Sequence, residues 1–172
     1  GIETPIDVTL DVINSAPFTD MAQSLQATFA EAGINFDILP GTGAQVITKY
    51  RDRTHEAMLL YWGPDFMDPH SNAKAFAYNS DNSDGNYTPT TTWRNAWAVP
   101  QELNDQVTAA LAESDQAKRN EDYIAIQKEV QANSPIVIMF QAALTIAMAS
   151  NVEGYVNGAT SDFVYYRLVT KD

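Results

Sequence analysis

The chain has 172 residues, 45% of them hydrophobic, which is enough for a domain with its own core and too apolar for a disordered segment. A net charge of −12, with 10 Lys and Arg against 22 Asp and Glu, argues against nucleic acid and against anionic membrane surfaces as partners. The chain has no cysteine, which excludes disulfides, zinc–thiolate sites and thiol nucleophiles, and no apolar run approaches the roughly 18 residues of a membrane span.

Ile6 to Ile13 alternates apolar and polar residues and predicts a strand. Asn14-Ser15-Ala16-Pro17 breaks it. A helix follows, with Phe18, Met21, Ala22, Leu25, Phe29 and Ala32 on one face and Gly33 placed to end it in a left-handed conformation. Ile34 to Leu39 is a second strand, Pro40 to Gly43 a turn, and Ala44 to Asp52 a short helix. Ala57-Met58-Leu59-Leu60-Tyr61 is a third, buried strand. The order strand, helix, strand, helix, strand predicts a parallel sheet with right-handed crossovers. The loops after the three strands then emerge on the same edge, where α/β folds hold ligands.

Asn79 to Thr92 is rich in Asn, Asp, Ser, Gly and Thr and predicts a long irregular loop, functional or mobile. A helix spans Pro100 to Glu113. A second, capped by Ser114-Asp115, runs to Ala132. Pro135 to Gln141, Leu144 to Met148 and Phe163 to Val169 predict three further strands. Gly1-Ile2-Glu3-Thr4-Pro5 carries no leader pattern, which fits a cytosolic protein or a mature or excised piece.

Chemistry concentrates in Tyr61-Trp62-Gly63-Pro64-Asp65-Phe66-Met67-Asp68-Pro69, where two carboxylates, an indole and two prolines follow a strand. Asp65 and Asp68 form a conceivable acid–base pair, but nothing else supplies a nucleophile at a workable spacing. Asp68 before Pro69 fits a rigid corner. Tyr61 and Trp62 alternate along a regular strand, so only one of them faces a ligand. Trp93, Arg94 and Trp97 either meet a ligand or pin the long loop to the core. His55 and His70 are too scattered for a metal site. No cofactor is called for.

In this order, several segments resemble bacterial ABC-importer solute-binding proteins of the peptide, nickel and oligopeptide class (family 5), specifically their C-terminal lobe. They are Glu31-Ala32-Gly33-Ile34, the Trp62 to Pro69 turn, Gly85-Asn86-Tyr87, Pro100-Gln101-Glu102-Leu103, Asp115 to Arg119, the helix with Tyr123, Gln127 and Val130, Ser134-Pro135-Ile136-Val137, and Asn151 to Tyr155. The resemblance implies an α/β fold: one lobe of a periplasmic-binding-protein type II-like structure, three-layered, with a mixed, mainly parallel sheet. Residues 1–160 would be the ligand-binding lobe. Residues 161–172 would return as a strand to an N-terminal lobe that this chain lacks, or self-associate.

The implied function is non-catalytic capture of a peptide or amine-bearing solute in an interlobe cleft, in the periplasm or outside the cell. ABC permease subunits are the implied partners. Asp65 would pair the ligand's ammonium, with Tyr61, Trp62, Asn14, Trp93, Arg94 and Trp97 as further contacts. The Asn14 loop lacks the arginine that dipeptide-binding relatives carry for the peptide carboxylate. An oligosaccharide or other neutral solute, stacked on Trp62, Trp93 and Trp97, is an alternative, as is a stand-alone α/β enzyme using Asp65 and Asp68.

Overall fold

The computed structural model describes residues 3–143, 145–158 and 163–172. They divide into two compact units, Gly1–Trp62 with Arg94–Ala96, and Gly63–Trp93 with Trp97–Asp172.

The first unit is a three-stranded parallel sheet, β1 (Ile6–Ile13), β2 (Ile34–Gly41) and β3 (Ala57–Leu59), in the order β2-β1-β3. Ile6 pairs with Ile34 and Ile13 with Gly41, while Leu10 to Val12 pair with Ala57 to Leu59. The middle of the central strand, Leu10 to Val12, is buried on both faces, although its alternating sequence is that of a strand with one solvated face. Leu10 and Val12 are buried with Leu59 and with Ala22 of α1 (Phe18–Ala30), and Phe18, Met21 and Leu25 pack around them. Asp11 points to the opposite face and is only 4% exposed. There Lys49 of α2 (Gly43–Arg51) donates to both its oxygens at 2.6 Å. The unit is therefore layered helix, sheet, helix.

Local chemistry sets the element ends. Gly33 has φ +77°, and a Cβ there would lie 2.9 Å from the Thr4 side chain, so glycine is required where the chain turns into β2. The turn expected at Pro40 to Gly43 is shorter than its sequence suggests, because β2 runs to Gly41. Thr42 then starts α2 with a capping box: its hydroxyl accepts from the Gln45 amide, and Gln45 Oε1 accepts from the Thr42 amide.

β3 ends at Leu59, two residues earlier than its apolar run predicts. Past Val12 the central strand turns away: the Ile13 carbonyl accepts from the Ser15 amide, and the Asn14 amide donates to Gly41 on the β2 side. Pro64 has no amide with which to extend a ladder. The alternation argument for Tyr61 and Trp62 therefore does not apply.

The second unit is helical. α3 (Pro69–Phe76), which the sequence reading did not anticipate, packs with α5 (Gln101–Ala112) and α6 (Gln116–Asn133). Ala73, Ala77, Val99, Leu103, Val107, Ala110, Tyr123, Ile126 and Val130 form its core. The spacings 103, 107, 110 and 123, 126, 130 are helical stripes. Asp115 caps α6 by accepting from the Lys118 amide, as expected.

The polar loop of residues 79–92 is structured rather than loose. It holds a 3-10 turn, Asp84–Asn86, and leads into the one-turn helix α4 (Thr91–Arg94). Buried Asn104 of α5 accepts from the Asn79 amide at 2.8 Å and donates to the Asn79 and Val99 carbonyls. Asn79 in turn donates to the Trp97 carbonyl. The Thr92 hydroxyl donates to the Tyr78 carbonyl at 2.6 Å.

The strands expected over Pro135–Gln141 and Leu144–Met148 do not form among the described residues, and Leu144 lies outside them. Strand-forming composition cannot act without a neighbouring edge to pair with. Val137, Ile138 and Phe140 are left exposed. The strand expected at Phe163 to Val169 is replaced by a 3-10 turn, Tyr166–Leu168, and a short strand β5 (Thr170–Lys171), antiparallel to β4 (Val152–Glu153). Residues 161 and 162 lie outside the described residues. Gly154, at φ +77°, turns away from β4, and the Leu168 carbonyl occupies the space where a Cβ would be.

Candidate functional site

The anticipated contacts fall in both units. In the first, Asn14 follows β1 at the carboxyl end of the sheet and is exposed. Tyr61 and Trp62 follow β3 at the same end and are 77% and 44% exposed. The Tyr61 ring lies 5.8 Å from Phe18, the first residue of α1, so an aromatic surface lines this edge. Arg94 places its guanidinium 5.3 Å over the Tyr50 ring. Asn95 bridges the Tyr50 hydroxyl and His55 Nε2, both at 3.3 Å. Arg94 thus belongs to a packed aromatic and amide cluster.

In the second unit, Asp65 is exposed, and among the described residues its carboxylate has no hydrogen-bond or ion-pair partner. Phe66 and Met67 beside it are 68% and 69% exposed. Trp93 is only 3% exposed, its Nε1 donates to the Ser83 carbonyl at 3.0 Å, and Tyr87 meets it edge-on. Trp97 packs against the helical core. Both tryptophans therefore anchor the polar loop, the second of the two roles open to them from sequence.

Asp68 is fully engaged. It caps α3 by accepting from the His70 amide at 2.8 Å, and Pro69 occupies the first helical position. Arg119 of α6 donates to both its oxygens, at 2.9 and 3.1 Å. These bonds, Arg119 first and the His70 amide second, hold the Asp68 carboxyl below its usual range. The Arg119 guanidinium also lies 4.9 Å over Tyr123, whose hydroxyl is 3.1 Å from His70 Nδ1. Burial pushes the His70 imidazole below its usual value, against the opposing pull of Asp68. Burial likewise raises the Tyr123 phenol.

Sequence reasoning missed Arg119 and α3. The signals were present: Asp68-Pro69 is a helix cap followed by proline at the first helical position, and Arg119 lies one turn before Tyr123 on the same face of α6. Among the described residues no group of three or more His, Cys, Asp or Glu is placed to hold a metal.

The profile of bacterial extracellular solute-binding proteins, family 5 (middle), matches residues 5–84. The dipeptide-binding protein of Pseudomonas aeruginosa is 30% identical over 135 residues, covering 78% of this chain and 24% of that protein. This chain thus spans about a quarter of that relative's length. The fold is similar to the substrate-binding domain of an oligopeptide ABC transporter from Bacillus anthracis, with TM-score 0.72, 16% identity, and coverage of 96% of this chain and 31% of that one. It is also similar to the dipeptide-binding protein of a Pseudoalteromonas species in complex with Met-Leu, with TM-score 0.67, 17% identity, and coverage of 100% of this chain and 33% of that one. The α/β fold with its parallel sheet is that of the periplasmic-binding-protein type II class. Residues 5–84 of the chain are thus similar to the bacterial extracellular solute-binding proteins of family 5.

Proposed function

We propose that this chain supplies part of the ligand-holding surface of an ABC-importer solute-binding protein, and that it captures a peptide or amine-bearing solute without catalysing a reaction. The observation that carries this reading is Asp65, a carboxylate without a partner among the described residues, on a turn whose far end, Asp68, is fixed by a helix cap and a guanidinium. Such a group accepts a charge-assisted hydrogen bond from an ammonium. Exposed Phe66 and Met67 flank it in the same unit and offer apolar surface to a ligand side chain.

The relatives named for dipeptide and oligopeptide binding support this class of ligand. On this reading the rest of the binding surface comes from elsewhere in a longer polypeptide, the permease subunits receive the loaded protein, and capture takes place in the periplasm or outside the cell. Self-association through the C-terminal stretch is a further expectation, and an oligomeric-state measurement decides it.

The neutral-solute alternative loses support, because, of its three tryptophans, Trp93 is buried and Trp97 packs against the helical core, which leaves Trp62 as the exposed one. The enzyme alternative loses support because Asp68 is committed to Arg119 and α3.

Titrating the chain with millimolar Met-Leu and following amide chemical shifts tests the reading. Shifts centred on Asp65, Phe66 and Met67 that disappear in Asp65→Asn are expected. Shifts indifferent to Asp65→Asn, or a response to a neutral oligosaccharide instead, contradict it.

A further inference from the structure

Asp68, Arg119, Tyr123 and His70 form a closed ring within the second unit. Arg119 donates to both Asp68 oxygens, its guanidinium covers the Tyr123 ring, the Tyr123 hydroxyl meets His70 Nδ1, and the His70 amide donates back to Asp68. Asp68 and His70 open α3, while Arg119 and Tyr123 are one turn apart on α6. The ring staples the start of one helix to the side of the other.

The helix cap itself needs only one Asp68 oxygen and the His70 amide. Arg119, only 15% exposed, adds a second hold that fixes the plane of the carboxylate. Residues 65–67 lie just upstream, in neither helix nor strand. They run between Pro64, whose φ is fixed by its ring, and the stapled Asp68. The three residues are thus anchored at their downstream end and follow a residue with one dihedral fixed, which limits the conformations open to them.

We infer that Arg119 is a positioning residue for solute capture: by holding Asp68 it fixes the turn that presents Asp65, without touching the ligand. This rests on the ligand reading of Asp65 only in its affinity arm.

The test uses the whole chain as wild type, Arg119→Met, Arg119→Lys and the control Lys118→Met. Lys118 precedes Arg119 on α6 but pairs with Glu113 and Asp122. Backbone ¹⁵N order parameters report the turn directly. For Asp65, Phe66 and Met67 they are expected near the rigid value of about 0.85 in wild type and below about 0.6 in Arg119→Met. Arg119→Lys should restore part of the order, and α5 and α6 should stay unchanged. Unchanged turn order in Arg119→Met, or equal loosening in Lys118→Met, overturns the inference.

Affinity for Met-Leu is the second arm. A loss of about fivefold or more in Arg119→Met, partly recovered by Arg119→Lys, is expected. A loosened turn with unchanged Met-Leu affinity overturns the positioning role. Failure of the wild type to respond to Met-Leu and to a longer peptide with a free amino terminus overturns the ligand reading instead, and the order parameters still decide whether Arg119 fixes the turn.

Discussion

Arg119 grips both carboxylate oxygens of Asp68 across 51 residues of sequence, at 2.9 and 3.1 Å. That bond ties a feature legible in the sequence, the acidic turn after β3, to one that became visible only on folding. It also changes what the two acids of the turn can do. Asp68 is structural, and Asp65 is the carboxylate we propose for a ligand.

The ring around Asp68 predicts acid sensitivity. The folded-state pKa of Asp68 is depressed, so its contribution is present above the usual carboxylate range and is lost as pH falls through the folded value. The folded-state pKa of His70 is also depressed, so protonation favours unfolding, and stability drops as pH falls below the usual imidazole value. Urea midpoints across pH should therefore fall first in the imidazole range and again in the carboxylate range. His70→Gln should remove the first fall. Asp68→Ala should weaken the second and cost about 1 kcal/mol at neutral pH through loss of the cap. A flat profile between neutral pH and the carboxylate range contradicts the role assigned to His70.

In the first unit, Lys49 neutralises an aspartate buried in the central strand. Lys49→Met leaves the Asp11 carboxylate without its cation. It should destabilise by about 2 kcal/mol, below the cost of breaking a fully buried pair because Lys49 is partly exposed. Asp11→Leu combined with Lys49→Met should recover most of that loss in the same urea titration. Equal stability of Lys49→Met and wild type would show the pair to be dispensable.

Asn104 is the clasp of the polar loop. Asn104→Leu removes partners from the Asn79 amide and carbonyl and from the Val99 carbonyl, all in a buried setting. The expected cost is about 2–3 kcal/mol. The Trp93 indole N–H, which donates to Ser83 inside the loop, should exchange with solvent faster. Unaltered indole exchange would mean that Trp93 and Thr92 hold the loop without the clasp.

The difference between what the sequence revealed and what it concealed follows from the range of the forces. β1, α1, α5 and α6 were legible because periodicity and caps act within a few residues: Leu10 and Val12 alternate with Asp11, and Asp115 caps α6. The strands expected at 135–141 and 163–169 failed because a strand is completed by a neighbour, and composition such as Ile136-Val137-Ile138 says nothing about whether one is present. The roles of Trp93 and Trp97 stayed open because an indole packs equally well on a loop or on a ligand. In the fold, Trp93 donates to the Ser83 carbonyl and Trp97 packs against the helical core. Asp65 was singled out from its place after Trp62, while Arg119, which holds Asp68, needed α3 and α6 packed together.

The central claim is that Asp65 receives a ligand ammonium, and a two-by-two comparison tests it most directly. Met-Leu and N-acetyl-Met-Leu are titrated into wild type and Asp65→Asn under one buffer and salt condition. Acetylation should weaken binding to wild type by about five- to tenfold, as loss of one charge-assisted hydrogen bond at an exposed carboxylate requires, and should have little effect on Asp65→Asn. The same acetylation penalty in both proteins would contradict the account.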